Sequence, residues 1–126
     1  MKITDLLSTS AIKLNGVAHS KEEVINQMVD LMASNGNIIN KEEYKRVVME
    51  REKEGTTGIG EGIAIPHGKT EAVSKPGLSA MVIPNGVNFD SLDGQPAKLI
   101  FLIAAPNTKD NVHLDVLSRL STLLMD

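Results

Sequence analysis

Three polar side chains fall at positions that the surrounding pattern assigns to the protein interior, and they are the first candidates for chemistry. His67 follows the apolar residues 62–65 and a proline, and a glycine follows it. A side chain between proline and glycine, at the end of a predicted strand, is held rigidly with room for an approaching partner. The alternative is an ordinary loop histidine.

The second candidate is His113, in the first turn of a predicted C-terminal helix. It lies four residues before Leu117 and seven before Leu120, so it points along the apolar stripe of that helix. A helix N-terminus favours anions and offers backbone N–H groups that have no helical partner. The position fits an anion site, and it also fits a hydrogen-bonded histidine of the core.

The third candidate is Arg51, which lies on the apolar face of a predicted helix, near its end. It follows Val47 and Val48 by four and three residues. A guanidinium there needs an anionic or carbonyl partner because it cannot lose its proton. That partner could be a phosphoryl group or an internal carboxylate. The acidic residues around it are expected to form a solvated face: Glu50, Glu52 and Glu54.

Two histidines and an arginine could together handle a phosphoryl group if the fold brings them together. A neutral imidazole can act as the nucleophile, and an arginine can bind two phosphoryl oxygens at once. The glycine-rich residues 55–62 lack the lysine of a Walker loop and the spacing of a dinucleotide fingerprint. Their backbone N–H groups could approach an anion, or the segment could merely turn the chain.

Helical spacing and capping residues predict the helices. Ser20 with Glu23 forms a capping box, and the apolar positions behind it follow helical spacing: Val24, Met28, Leu31 and Met32. Asn40 with Glu43 begins a second helix that Gly55 ends. Asp110 or Asn111 caps the last helix, whose apolar stripe is Val116, Leu117, Leu120, Leu123 and Leu124.

Apolar runs predict strands at residues 11–14, 62–65, 78–83 and 98–105. The third of these runs precedes Asn85-Gly86, a pair typical of a hairpin turn. The fourth is almost unbroken, which indicates a strand buried on both faces of a sheet. Strands in the middle of the chain, with helices before and after them, predict an α/β or α+β fold.

Composition excludes several classes of function. The 126 residues carry a net charge of −3 and only 2% aromatic side chains, so binding of nucleic acid is not expected. The absence of cysteine removes disulfides, thiolate metal sites and cysteine nucleophiles. No apolar run approaches the roughly 20 residues of a membrane span, and the N-terminus has no signal-peptide core. We therefore expect a cytoplasmic enzyme or binding domain.

Residues 57–68 read Thr-Gly-Ile-Gly-Glu-Gly-Ile-Ala-Ile-Pro-His-Gly. This segment closely resembles the active-site signature of the fructose/mannitol-type enzyme IIA domains of the bacterial sugar phosphotransferase system. The similarity extends to Arg51 with Glu52 and to His113 with Leu114, and it covers essentially the whole chain. The motif is long, and therefore far more specific than an isolated glycine-rich loop.

The resemblance implies roles for the candidate residues. His67 would carry the phosphoryl group, His113 would hydrogen-bond to it, and Arg51 would hold its oxygens. The loop residues expected close to the phosphoryl group are Thr57, Gly58 and Gly60. The implied fold is a single domain, residues 1–126, with a mixed β-sheet flanked by helices. Domains of the family normally continue beyond the leucine-rich helix, so we expect this one to lack its C-terminal end.

The resemblance also implies partners and cofactors. Phospho-HPr would donate the phosphoryl group, and a IIB domain carrying a cysteine would accept it. The membrane IIC domain would be an indirect partner. No metal and no nucleotide cofactor are expected. The main alternative is a regulatory relative, either the nitrogen-branch enzyme IIA or a domain of a transcription regulator, in which phosphorylated His67 controls a partner. A metal-dependent hydrolase is disfavoured because two histidines without metal-binding spacing are too few ligands.

Overall fold

The computed structural model describes residues 7–108, 115, 116, 118–120 and 122, with side chains from residue 11 onwards. Six strands form one mixed sheet in the order β1-β5-β6-β3-β2, and β4 also pairs with β6. The strands are β1 (Leu7–Lys13), β2 (Gly58–Gly60), β3 (Ile63–Ala64), β4 (His67–Thr70), β5 (Gly77–Val87) and β6 (Ala97–Pro106). The fold is therefore the single α+β domain that the sequence predicts.

Two helices begin at the predicted capping residues. Helix α1 (Lys21–Ser34) begins after Ser20, whose side chain accepts a hydrogen bond from the backbone of Glu23. Helix α2 (Lys41–Glu54) begins after Asn40, which accepts from the backbone of Glu43 in the same way, and ends at Gly55. Both caps satisfy N–H groups that a helix start leaves without partners, and both predictions are confirmed.

The core lies on both faces of the sheet. One cluster joins α1 and α2 to strand residues such as Ile100 and Leu102. The other cluster lies on the opposite face, because side chains alternate along a strand and Ile103 is one residue beyond Leu102 in β6. Its members are Ile65, Leu78, Ile103, Val116 and Leu120. The predicted burial of Val116 and Leu120 is confirmed. The other predicted residues of that helix lie outside the described residues: Asp110, Asn111, Leu117, Leu123 and Leu124.

The predicted hairpin turn at Asn85-Gly86 is wrong. Strand β5 continues through both residues to Val87, and its register against β6 shifts between Val82 and Val87. Gly86 has a positive φ of 74°, as it would in a hairpin turn. Here this conformation occurs at the irregularity in the pairing of β5 with β6. The actual connection to β6 is residues 88–96.

The sheet edge around His67 is made by two short strands in succession. Strands β3 and β4 both pair in parallel with β6, and Ile65 and Pro66 lie between them. The backbone of Ile65 donates to the Thr57 carbonyl (3.0 Å), whereas the Pro66 carbonyl accepts from Ile103 (3.1 Å). His67 therefore begins a strand, where the sequence indicated the end of one.

Candidate active site

His67 is held by the strand it begins and by the residue two positions before it. It pairs with Ile103 in the sheet and is half-buried. Its ring Nδ1 lies 3.1 Å from the carbonyl oxygen of Ile65. A carbonyl can only accept, so the neutral imidazole places its proton on Nδ1 and its lone pair on Nε2. This arrangement makes Nε2 the ring nitrogen that carries the lone pair.

The environment also keeps the imidazole neutral. Burial is the largest influence and lowers the pKa of His67, and the positive charge of Arg51 lowers it further. The Ile65 carbonyl and the negative charge of Glu52 act in the opposite direction without reversing the shift. A histidine whose pKa lies below its ordinary value is unprotonated at neutral pH, as nucleophilic attack requires.

Helix α2 packs directly on β4 at Gly68. A Cβ atom at Gly68 would lie 3.0 Å from Val48 Cγ2 and 3.2 Å from Tyr44 Cε1, so a larger residue would push the helix away. The buried Tyr44 hydroxyl donates to the carbonyl of Ile103, the residue opposite His67, at 2.7 Å. These contacts fix the distance between α2, which carries Arg51, and the strand that carries His67.

Arg51 lies in the last turn of α2 and is half-buried. Its Nη1 donates to the carbonyl of Gly55 at 2.8 Å. None of the ion pairs within the described part of the chain involves Arg51, so its observed partner is a backbone carbonyl and not a carboxylate. Its positive charge lowers the pKa of His67, after the larger effect of burial, so the two candidate residues share one electrostatic environment.

The glycine-rich segment forms a hairpin of β2 and β3. Glu61 and Gly62 both have positive φ, as the two central residues of a type I′ turn do. A Cβ at Gly58 would lie 2.6 Å from Ser91 Oγ, and one at Gly60 would lie 3.2 Å from the Asp93 carboxylate. Both glycines thus allow residues 89–93 to approach the hairpin. Their predicted place beside the phosphoryl group stays a prediction, as does that of Thr57.

The expectation of a solvated face at Glu50, Glu52 and Glu54 is wrong for Glu52. Glu50 and Glu54 are exposed, but the Glu52 side chain is only 3% exposed. Its carboxylate accepts from Lys21 Nζ at 3.0 Å and from the backbone and hydroxyl of Thr57. No helical pattern could reveal these partners, because Lys21 lies 31 residues away on another helix.

His113 lies outside the described residues, so its role stays a prediction. Two described residues of the C-terminal helix, Val116 and Leu120, pack in the same cluster as Ile103, the register partner of His67. Within the described residues, no three metal-ligating side chains lie close enough together to hold an ion. No helix in the described part of the chain is long and apolar enough to cross a membrane.

The family model of the phosphoenolpyruvate-dependent sugar phosphotransferase system, EIIA 2, matches residues 5–126. The chain belongs to this family. Among EIIA relatives, it is 50% identical over 125 residues to the fructose-specific EIIABC component of Bacillus subtilis, covering 99% of this chain and 20% of that protein. It thus spans about a fifth of that relative's length. Membership supports a role as a phosphoryl carrier and confirms the fructose/mannitol resemblance.

Solved structures of EIIA proteins have the same fold. The nitrogen regulatory protein IIA-Ntr from Neisseria meningitidis is 31% identical with a TM-score of 0.89, over 98% of this chain and 84% of that one. A complex of enzyme IIAMTL and phosphorylated enzyme IIBMTL from Escherichia coli is 32% identical with a TM-score of 0.80, over 96% and 84%. The EIIA fold therefore occurs in both sugar-specific and regulatory proteins.

Proposed function

We propose that this EIIA domain accepts a phosphoryl group from phospho-HPr on His67 and passes it to a IIB domain. The transfer would serve the uptake and phosphorylation of a fructose-like or mannitol-like sugar. The observation that carries the proposal is the environment of His67. Its Nδ1 hydrogen-bonds to the Ile65 carbonyl, and burial lowers its pKa. Both features prepare Nε2 for attack on phosphorus.

The chemistry needs positioning and charge stabilisation more than covalent work by the protein. The lone pair of Nε2 forms the bond to phosphorus while the bond between the phosphoryl group and its donor breaks. The proton stays on Nδ1 throughout, in a hydrogen bond to the Ile65 carbonyl. Arg51 donates one hydrogen bond to the Gly55 carbonyl, and its other N–H groups could donate to phosphoryl oxygens. No metal or nucleotide is required in this scheme.

Two partners follow from the proposed reaction. The similarity to a complex of IIAMTL with phosphorylated IIBMTL supports a IIB domain as acceptor. Phospho-HPr is the donor that the family resemblance implies, and we propose the cytoplasm as the compartment in which it meets this domain. Membership in the sugar-transporting branch is supported by 50% identity to a fructose-specific component, against 37% to a nitrogen regulatory protein of Bradyrhizobium diazoefficiens.

A regulatory role is the second candidate, since IIA-Ntr has the same fold. A carrier must release its phosphoryl group rapidly to a IIB domain, whereas a regulator has no need of that step. We expect the label on the phosphorylated protein to disappear within seconds when a fructose-type IIB domain is added. A label that persists beside fructose- and mannitol-type IIB domains, on a folded protein, would favour the regulator.

A further inference from the structure

The buried carboxylate of Glu52 accepts three hydrogen bonds, and two of them come from one residue, Thr57. It accepts from the backbone N–H of Thr57 (3.3 Å) and from the hydroxyl of the same residue. Its third hydrogen bond comes from Lys21 Nζ at 3.0 Å. A carboxylate removed from water needs such partners to remain charged. The two bonds to Thr57 fix its backbone nitrogen and the rotamer of its side chain.

The carbonyl of Thr57 continues this connection towards His67. It accepts from the backbone N–H of Ile65 at 3.0 Å. The carbonyl of Ile65 in turn accepts from His67 Nδ1 at 3.1 Å. Thr57 and Ile65 are 5% and 2% exposed, so water has little access to either residue along this path. A series of three hydrogen bonds, joined through the covalent structure of Thr57 and Ile65, thus connects Glu52 with the imidazole.

We propose that Glu52 is a positioning residue for His67, acting through the Thr57 and Ile65 backbone to hold the Nδ1–H tautomer. The proposal rests on the proposed function of His67 as phosphoryl carrier. Glu52 lies outside the reacting atoms. It holds Thr57, whose carbonyl accepts from the backbone N–H of Ile65, and so positions the Ile65 carbonyl that accepts the hydrogen bond of Nδ1–H. When that carbonyl moves, either ring nitrogen can carry the proton. The fraction of molecules with a lone pair on Nε2 then falls.

The charge of Glu52 adds a second, smaller influence. It raises the pKa of His67, against the lowering by burial and by Arg51. A purely structural ion pair between α1 and α2 would need only the contact with Lys21. The additional pair of bonds to Thr57 is what links Glu52 to the active site.

Two variants of Thr57 test the proposal with matched size and chemistry. Thr57→Val keeps the volume and removes the hydroxyl that Glu52 binds, whereas Thr57→Ser keeps the hydroxyl. The tautomer of His67 is read from long-range ¹H–¹⁵N correlations of the imidazole by NMR. We expect Thr57→Ser to retain the Nδ1–H form, and Thr57→Val to shift towards the Nε2–H form. Phosphoryl transfer per folded molecule should slow about tenfold in Thr57→Val, the order expected for one lost hydrogen bond.

Glu52→Ala provides the second test, with the exposed Glu54→Ala on the same helix as its control. We expect the tautomer to shift in Glu52→Ala and to remain unchanged in Glu54→Ala. If Glu52→Ala does not fold, the Thr57 pair decides. A lowered melting temperature with wild-type tautomer populations, in either folded variant, overturns the proposal. Absence of labelling of the wild-type protein by phospho-HPr would instead refute the carrier function, while the NMR result would still decide the role of Glu52.

Discussion

Gly68 lies where α2 packs on β4, and replacing it with alanine tests whether that contact sets the geometry of the site. The added Cβ would meet Val48 Cγ2 at 3.0 Å, Tyr44 Cε1 at 3.2 Å and Val47 Cγ1 at 3.3 Å. All three atoms belong to one helix, so a change of a single rotamer cannot relieve the contacts. Tyr44 is also held by its hydrogen bond to Ile103. The helix must therefore move by a few tenths of an ångström.

Overpacking of this kind costs about 1–3 kcal/mol of unfolding free energy. For a domain of this size that corresponds to a fall in melting temperature of about 4 °C per kcal/mol. Arg51 moves with α2, so phosphoryl transfer to His67 should also slow, by about tenfold. Thermal unfolding and single-turnover labelling measure the two effects on the same preparation.

Gly55→Ala is the matched control for stability. Nothing lies within 4 Å of a Cβ at Gly55, and its backbone is extended. The same chemical change there should be neutral or stabilise the fold by about 0.4–1 kcal/mol, because alanine restricts the unfolded chain. A Gly68→Ala protein as stable and as active as wild type would refute the claim that this contact positions the site.

Two further predictions concern the site itself. Arg51→Lys keeps the charge but loses the planar fork, so transfer should slow about ten- to a hundred-fold at unchanged melting temperature; a normal rate with lower stability would make Arg51 a structural residue. The pKa of His67 is lowered, so the folded protein binds its proton less readily than the unfolded chain. NMR titration should therefore place that pKa below about 6.5, and stability should fall as pH drops below that value. A raised pKa would contradict this.

Local rules were sufficient for the elements whose structure depends on nearby residues. The capping pairs at Ser20 and Asn40 predicted where α1 and α2 begin, because the bonds involved span only three residues. The apolar residues that form β6 were also predicted to be a strand, although Lys98 at the beginning of that run is exposed. His67 and Arg51 became candidates because each is a polar residue in an apolar pattern, and their roles stay predictions.

Features that depend on distant partners could not be predicted. Strand β4 contains no apolar run, and it is a strand only because β6 pairs with it in parallel. Glu52 is buried because Lys21 and Thr57 bind it, and helical spacing alone indicated an exposed residue. Asn85-Gly86 has the composition of a hairpin turn, but pairing with β6 carries the strand beyond it.

Labelling with phospho-HPr is the most direct measurement of the carrier function. We expect the wild-type protein to acquire one phosphoryl group, which peptide mapping locates at His67 and which is labile in acid and stable in base, as a phosphoramidate is. His67→Ala should acquire none, and His19→Ala, which changes an exposed histidine, should be labelled normally. Full labelling of folded His67→Ala, or an acid-stable adduct on the wild type, would contradict the proposed function.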